Sequence, residues 1–261
     1  MSTLEPSDGT TWGYAAGMTT DQLIGSACPL IRDNGWAYYF TPETEARGKE
    51  LGLDLFQFYF LGRGGVLGDV EAEVVISAFG YFSPTAVRSM WESGRAVIAP
   101  RDAARAHLEC CAELGRSRLA GIDGLEAYCD AAGAVNEAAD YVGLALYAGF
   151  RGEPLAEDLP ARAMQLTALL REFRGGAHLL AVRASGLDAK TAHAIARPND
   201  LAMFGWSDDD AVVIDEDQRR TLAAAEALTD DLVRPAYGVL GEVGAAALQT
   251  GVEQIAAALA P

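Results

Sequence analysis

The sequence has very little lysine and no cluster of basic residues, and both features bear on its partners. Only Lys49 and Lys190 are lysines among 20 basic residues, against 37 acidic ones, and the formal net charge is −17. Affinity for nucleic acid depends on neutralising phosphates, and no Lys/Arg cluster offsets this acidity. The composition therefore disfavours nucleic acid as a partner.

Long apolar runs are also missing. Charges or glycines break every apolar stretch well short of the roughly 20 residues that a membrane helix needs, so we expect no membrane span. Residues 1–17 are polar and rich in Gly and Thr, unlike a secretory signal. These features predict a cytoplasmic protein.

Cysteine is scarce, and its spacing matches no common metal or redox motif. Cys28, Cys110, Cys111 and Cys129 form no CxxC pair, and a cytoplasmic protein keeps such thiols reduced. On a helix, His107 would share a face with Cys110 and Cys111 and could in principle hold a metal. Small cysteines packed into an Ala-rich core explain the pattern better. We therefore predict neither a metal nor a cofactor.

Helical patterns cover almost the whole chain. Caps and periodicity predict helices that begin near Thr20, at Thr41-Pro42, at Asp69 and at Ser83-Pro84, and longer ones at about 101–118, 132–148, 160–174, 176–184, 188–196, 216–233 and 241–259. Residues 53–62 are compatible with a helix or a strand. Only Ala211–Asp215, AVVID, is a convincing short strand. Strands and helices do not alternate, so the expected fold is mostly α, a multi-helix bundle with one short β segment.

The best candidate linker is residues 149–162, which hold two prolines, two glycines and a charge cluster. It would separate an N-terminal helical domain, residues 18–150, from a C-terminal one, residues 160–261.

A glycine-rich segment surrounds Arg63. Four glycines lie within residues 62–68, and Asp69 follows at the predicted start of a helix. Such a loop could hold an anion at a helix N-terminus, but Asp69 would repel it, and the P-loop and GxGxxG spacings are absent. A tight interhelical turn is the favoured interpretation.

A second charged segment contains Arg171, Glu172, Arg174 and His178, with Gly175-Gly176 predicted as a helix junction. A lone histidine on an apolar face is usually a core residue. Here an acid and two arginines lie close enough to tune its protonation, as in functional histidines. Both interpretations remain open from the residues alone.

Six carboxylates lie between Asp208 and Asp217. They lack the central glycine of a calcium-binding EF-hand loop, so an acidic turn before a helix is the simpler interpretation.

The order of several motifs along residues 20–260 resembles one protein family. The motifs are YFTPE, FLGRGGVLG, AEVVISAFGYFSP, LLREFRGGAH, GWSD and EALTDDL. The chain resembles an actinobacterial helix-turn-helix family, mostly α, with a MarR-like winged-helix segment near its C-terminus. The positions that match are Tyr39, Phe40, Pro42, Glu43, Gly62, Arg63, Leu67, Gly68, Glu73, Phe79, Pro84, Arg171, Glu172, Arg174, His178, Gly205, Trp206 and Ser207.

Two departures from that family matter. Its members commonly carry a histidine where this chain has Phe173. They also place a recognition-type helix of about fifteen residues between the GWSD turn and the wing, whereas here GWSDDD runs directly into AVVID. The resemblance thus implies a degenerate winged helix that cannot enter a major groove in the usual way.

The favoured function is a small-molecule-binding protein, or a cofactor-independent enzyme derived from one, with natural-product-like ligands. Its pocket would lie between the N-terminal helices and the His178 helix. The predicted polar residues are Arg63, Glu73, Arg171, Glu172 and His178, and the predicted apolar walls are Tyr39, Phe56, Tyr59, Phe79 and Trp91. If it is catalytic, His178 would carry the proton, Glu172 would orient it, and an arginine would hold an anionic group. The alternatives are a ligand-responsive transcriptional regulator and a scaffold whose acidic face docks a basic protein.

The last helix predicts the quaternary structure. Residues 241–259 carry small and apolar side chains on several faces, which suggests burial on more than one side. A two-fold homodimer would provide that burial, and so would a helix sunk into the chain's own core. We expect the homodimer.

Overall fold

Helices account for the regular structure in residues 17–207 and 212–260, the part of the chain that the computed structural model describes. No residue in these ranges belongs to a β-strand. The helices are α1 (Thr20–Asn34), α2 (Pro42–Glu50), α3 (Leu55–Gly64), α4 (Ala72–Phe79), α5 (Pro84–Arg95), α6 (Pro100–Arg118), α7 (Leu125–Ala138), α8 (Ala145–Arg151), α9 (Leu159–Ala184), α10 (Ala189–Ala196), α11 (Glu216–Tyr237) and α12 (Glu242–Leu259). A short 3-10 turn, Gly65–Leu67, follows α3. The mostly α fold class is confirmed.

Local capping chemistry sets several helix starts where the sequence predicts them. The Thr41 side chain accepts a hydrogen bond from a backbone amide of α2, and Pro42 is the first residue of that helix. Pro84 opens α5 in the same way. The cap of α1 is Thr19, one residue before the predicted one, and Pro29 lies inside α1 without ending it.

Several elements differ from the sequence prediction. Asp69 does not open α4; it forms an ion pair of 2.8 Å with Arg95, and the helix begins at Ala72. The single helix expected over 132–148 is two helices, because a turn at 141–144 contains Gly143 at a φ of +81°. The segment that also suited a strand is helical, because Asp54 caps α3 with a capping box.

The short strand expected over Ala211–Asp215 is not found in its described part. Val212–Asp215 are not helical and form no strand, and Ala211 lies outside the described residues. An isolated strand needs a partner to satisfy its backbone groups, and the neighbouring elements here are helices. The described part of the chain therefore contains no wing of the winged-helix type.

Helix α9 organises the core. It packs against α1, α6, α7, α8, α10 and α11, and its buried side chains lie on several faces. Gly115 allows the closest approach of α6, because a Cβ at this position would lie 2.3 Å from the Pro160 carbonyl oxygen and 2.9 Å from the Met164 Cβ. A second, smaller apolar cluster joins the end of α9 to α10 and α11.

The main core contains residues from both sides of the predicted linker at 149–162, from Leu23 to Ile255. The division into two domains stays a prediction. None of the described helices is long and apolar enough to cross a bilayer.

Candidate functional site

A cavity of about 960 Å³ lies between the N-terminal helices and α9. Aromatic side chains from the turn after α1, from α3 and from α4 form one wall. Residues of α9, α10 and α11 form the other. The predicted site residues that line it are Tyr39, Phe56, Tyr59, Arg63, Glu73, Phe79, Arg171, Glu172 and His178.

A buried carboxylate between two arginines is the central polar feature of this cavity. Glu172 is only 3% exposed. Arg63 donates to it with two nitrogens, Nε to Oε1 at 3.0 Å and Nη2 to Oε2 at 2.7 Å. Arg171 Nη1 donates to Oε1 at 2.7 Å, and the Tyr39 hydroxyl donates to the same oxygen at 2.9 Å. Glu172 thus receives hydrogen bonds from three side chains.

The charges of this cluster do not cancel. Burial alone would raise the pKa of Glu172, but Arg63 and Arg171 outweigh burial and lower this pKa to about 2. The Arg63 guanidinium also lies 4.5 Å from the centre of the Phe79 ring. Two guanidinium groups and one carboxylate leave a net positive charge in the cavity wall.

His178 belongs to a different cluster. The Tyr81 hydroxyl lies 2.5 Å from Nδ1 of His178, and Nε2 lies 3.1 Å from Glu226 Oε1. Arg174 Nη2 donates to Glu226 Oε2 at 3.2 Å and to Asp230 Oδ1 at 2.9 Å. The close imidazole of His178, helped by the charge of Arg174, lowers the pKa of Glu226 to about 2 against the effect of burial. Glu226 is therefore a carboxylate near neutral pH.

The predicted pairing of Glu172 with His178 is wrong. It assumed a helix junction at Gly175-Gly176, but α9 continues without interruption from Leu159 to Ala184. Six residues along a continuous helix place two side chains about 120° apart around the axis and about 9 Å apart along it. Glu172 therefore faces the two arginines, whereas His178 faces Tyr81 and Glu226.

Tyr81 and Glu226 are site residues that the sequence analysis missed. Both lie within motifs that carry the family resemblance, AFGYFSP and EALTDDL. Neither motif contains a spacing that links it to His178, because the contacts join residues 97 and 48 positions apart in the chain. Only the packing of α11 and of the turn after α4 against α9 brings them together.

The segment after α10 closes one side of the cavity. The Trp206 indole donates to the Tyr81 carbonyl at 2.9 Å, and the Phe204 carbonyl accepts from the Ser83 amide at 2.9 Å. The Phe204 ring stacks on Phe82 with centroids 4.2 Å apart. Gly205 has a φ of +78°, and a Cβ there would lie 2.4 Å from the Ala86 Cβ. The GWS motif therefore anchors this segment to the start of α5.

Two other predicted residues occupy different environments. Trp91 does not line the cavity; it is fully buried in the core, and its indole donates to the Val70 carbonyl at 3.0 Å. The prediction that Trp91 lines the cavity is therefore wrong, because its ring fills the space between α5 and α3 instead. Glu73 lies at the cavity but is exposed, and it forms a surface ion pair with Arg88.

The histidine and cysteines of α6 form no metal site in the structure. His107 is fully buried among aromatic rings, and no group of three or more potential metal ligands occurs within residues 17–207 and 212–260. The acids at 208–210 lie outside the described residues.

One of the comparisons with known proteins identifies a family. A family model described as a helix-turn-helix family matches residues 33–261. No curated protein and no solved structure matches the chain. The match covers most of the sequence, and the chain belongs to this helix-turn-helix family.

Proposed function

We propose that this protein binds a small molecule with an apolar, natural-product-like body and an anionic group. The observation that carries the proposal is a pair of arginines, Arg63 and Arg171, on the wall of the 960 Å³ cavity. Both pair with the single carboxylate of Glu172, so one positive charge is left over. Pockets for small ligands are usually 300–1,000 Å³ in volume, mainly apolar, and hold a few polar groups.

The placement of the arginines supports an anionic ligand. Both guanidinium groups lie at the cavity, and both keep part of their surface accessible, 11% for Arg63 and 24% for Arg171. No hydrogen-bond partner within the described ranges satisfies the buried Nε of Arg171. A ligand carboxylate or sulfonate beside Arg171 would form charge-assisted hydrogen bonds, which are stronger than neutral ones.

Two fluorescent probes of similar shape test this proposal. 8-Anilinonaphthalene-1-sulfonate carries an anionic group, and N-phenyl-1-naphthylamine has the same aromatic body without it. We expect Arg171→Met to weaken binding of the sulfonate about tenfold and to leave the neutral probe nearly unchanged. Glu172→Gln removes the competing negative charge and should strengthen binding of the sulfonate.

The control for these variants is Arg105→Met, which removes an exposed arginine that pairs with Asp102 on the surface of α6. Near-UV circular dichroism verifies that each variant keeps its tertiary packing, since loosened proteins also bind such dyes. Equal losses for both probes, or a weaker sulfonate complex in Glu172→Gln, would contradict an anion site at Arg171.

Catalysis is an extension of the same proposal. We propose that, if the bound molecule reacts, the chemistry is acid–base and is centred on His178, without a cofactor. Isomerisation, cyclisation or elimination in secondary metabolism is compatible with such a site. The proposal also includes a relationship of this chain to MarR-like proteins of actinobacteria. It places the protein in the cytoplasm.

The alternative function is a ligand-responsive transcriptional regulator. Membership of a helix-turn-helix family favours it. Between α10 and α11, however, residues 197–207 and 212–215 contain no helix that could enter a major groove. We therefore rank this function second.

We also propose a two-fold homodimer built partly from residues 241–259. Within the chain, α12 covers part of its apolar surface against α1 and α7. Val243, 85% exposed, and Val239, 52% exposed, lie outside that contact and support an interface with a second copy. Light scattering at micromolar concentration measures the mass, and a monomer mass would contradict the dimer.

A further inference from the structure

We propose that Tyr81, His178 and Glu226 form a proton relay in the cavity wall, in which the Tyr81 hydroxyl meets the ligand. This inference rests on the proposed function, because it requires a ligand in the cavity. It goes further by naming the group that exchanges a proton and the class of ligand involved, a phenol or an enol. In this relay His178 and Glu226 are positioning residues.

Three separate elements bring the relay together. Tyr81 follows α4, His178 lies on α9 and Glu226 lies on α11, and all three line the cavity. The tyrosine oxygen lies 2.5 Å from Nδ1, and the carboxylate oxygen lies 3.1 Å from Nε2, an ion-pair distance without hydrogen-bond geometry. Arg174 holds the other carboxylate oxygen of Glu226 at 3.2 Å. The hydrogen bond with Tyr81 orients the imidazole, and Glu226 places a negative charge beside its other nitrogen.

The charge of Glu226 determines which ring nitrogen carries the permanent proton. A carboxylate accepts hydrogen bonds only and carries a negative charge, so the proton of neutral His178 is favoured on Nε2, 3.1 Å from Glu226 Oε1, rather than on Nδ1. The second nitrogen, Nδ1, is then free to gain or lose a proton towards Tyr81. Burial raises the pKa of Tyr81, so this residue is a hydroxyl rather than a phenolate in the unoccupied site.

The relay has two states that differ by one proton. With neutral His178, the Tyr81 hydroxyl donates to Nδ1, and its oxygen offers a lone pair to the ligand. With cationic His178, Nδ1–H donates to the Tyr81 oxygen, and the Tyr81 hydroxyl donates to the ligand instead. The imidazole thereby reverses the polarity of the group that faces the ligand.

The proton transfer balances without any other reactant. The ligand hydroxyl gives its proton to the Tyr81 oxygen while the Tyr81 proton passes to Nδ1. The ligand keeps the electron pair of its broken O–H bond as an oxyanion, His178 becomes an imidazolium, and Glu226 is unchanged. The reverse step protonates an enolate or phenolate. The nearby net positive charge of the Arg63–Glu172–Arg171 cluster favours the oxyanion.

Other ionisable groups lie in the same part of the cavity wall or pair with groups there. They are Cys28 on α1, Tyr81 after α4, Arg174 on α9, His193 on α10, and Glu226 and Asp230 on α11. His193 is neutral near pH 7, since burial lowers its pKa to about 4. The acids of α11 and Arg174 are thus the charged groups near His178.

Nitrogen-15 NMR of the histidine side chains tests the relay without a ligand. The chain has three histidines, and His178→Gln identifies the signals of His178. In the alkaline spectrum we expect a single neutral tautomer with the proton on Nε2. Glu226→Gln should abolish this preference. Tyr81→Phe should keep the tautomer and shift Nδ1 towards the value of a nitrogen without a hydrogen bond.

Tyr141→Phe is the matched control, because Tyr141 is half exposed and does not line the cavity. It should leave the histidine spectrum unchanged. A wild-type spectrum with the proton on Nδ1, or a Tyr81→Phe spectrum identical to the wild type, would overturn the relay.

A second measurement uses 4-nitrophenol, whose phenolate absorbs visible light at wavelengths where the phenol does not. At one fixed pH, the fraction bound as phenolate should be higher in the wild type than in Tyr81→Phe, and Tyr141→Phe should match the wild type. Equal fractions would overturn the role of Tyr81. If the histidine spectra match expectation but the naphthalene sulfonate does not bind, the proposed function fails and the Tyr81–His178–Glu226 arrangement stands. If the sulfonate binds but the histidine spectra differ, the relay alone fails.

Discussion

His107 is a possible metal ligand when judged from the sequence. In the structure it is fully buried and forms part of an aromatic core. Its ring lies 4.9 Å from the Tyr38 ring, 5.5 Å from Tyr39 and 5.2 Å from Phe58. Neither ring nitrogen has a hydrogen-bond partner among the described residues. Burial lowers the pKa of His107 to about 3, so it is neutral at pH 7.

This residue gives the folded state a specific pH dependence. A free histidine has a pKa of 6.5, so the unfolded chain binds a proton at His107 as the pH falls below 6.5, while His107 in the folded chain stays neutral until about pH 3. Stability is therefore lost as the pH falls through this window. We predict that His107→Phe stabilises the protein by about 1–3 kcal/mol at pH 7, because it removes two unsatisfied nitrogens.

The same variant should also lose less stability than the wild type between pH 7 and pH 4.5. Urea unfolding at both pH values measures both effects. Some dependence remains, because burial also lowers the pKa of His193, to about 4. An unchanged difference between the two pH values would show that His107 does not titrate as described.

The sequence identifies the charged residues of the site better than their partners. Arg63, Arg171, Glu172 and His178 are all at the cavity, as expected from clustered charges beside apolar helices. Which of these residues contact each other depends on the direction in which each side chain leaves its helix and on the packing of α11. Neither can be inferred from the spacing of nearby residues in the sequence. Glu172 thus pairs with Arg63, 109 residues away, rather than with a histidine six residues away.

At the scale of elements, α9 is the clearest difference between sequence and structure. Two adjacent glycines predicted a junction, since each glycine costs a helix about 1 kcal/mol relative to alanine. The packing of α9 against six other helices outweighs that cost. Caps are easier to predict, because Thr41 and Pro42 act within one turn, whereas the continuity of α9 depends on contacts from distant parts of the chain.

This difference leads to a prediction about two glycines. A Cβ at Gly175 would meet no heavy atom within 4 Å, whereas a Cβ at Gly115 would lie 2.3 Å from the Pro160 carbonyl oxygen. We expect Gly175→Ala to stabilise the protein by about 0.5–1 kcal/mol through helix propensity. Gly115→Ala should destabilise it by about 1–3 kcal/mol, because α6 and α9 must move apart.

Thermal unfolding of the two variants beside the wild type measures both effects. Gly115→Ala is the control for Gly175→Ala, because it makes the same substitution at a tightly packed position. Destabilisation by Gly175→Ala would indicate that α9 bends at this point and that its two halves do not form one helix.

At the scale of the whole molecule, the segment between α10 and α11 contributes to the cavity wall. Asp200, Met203 and Phe204 line the cavity, and Trp206 holds the segment to the Tyr81 carbonyl. The chain belongs to a helix-turn-helix family, yet the described residues at this position form turns rather than a helix. The short spacing between GWSD and AVVID in the sequence predicts that the recognition-type helix is absent. It gives no indication that the remaining segment packs on α5.

These observations predict that the protein does not bind DNA specifically. A reader of the major groove needs a helix that presents side chains to base edges, and it needs basic residues that neutralise phosphates. The described part of the 197–215 segment has no such helix, and the chain carries a net charge of −17. We expect no retention in a gel-shift assay with the DNA upstream of its own gene at about 0.15 M salt, where non-specific contacts are already weak. Unrelated duplex DNA of equal length is the control, and the assay should be repeated with the naphthalene sulfonate bound. Retention that survives competition by the unrelated duplex would favour the regulator over the small-molecule-binding function without a DNA target.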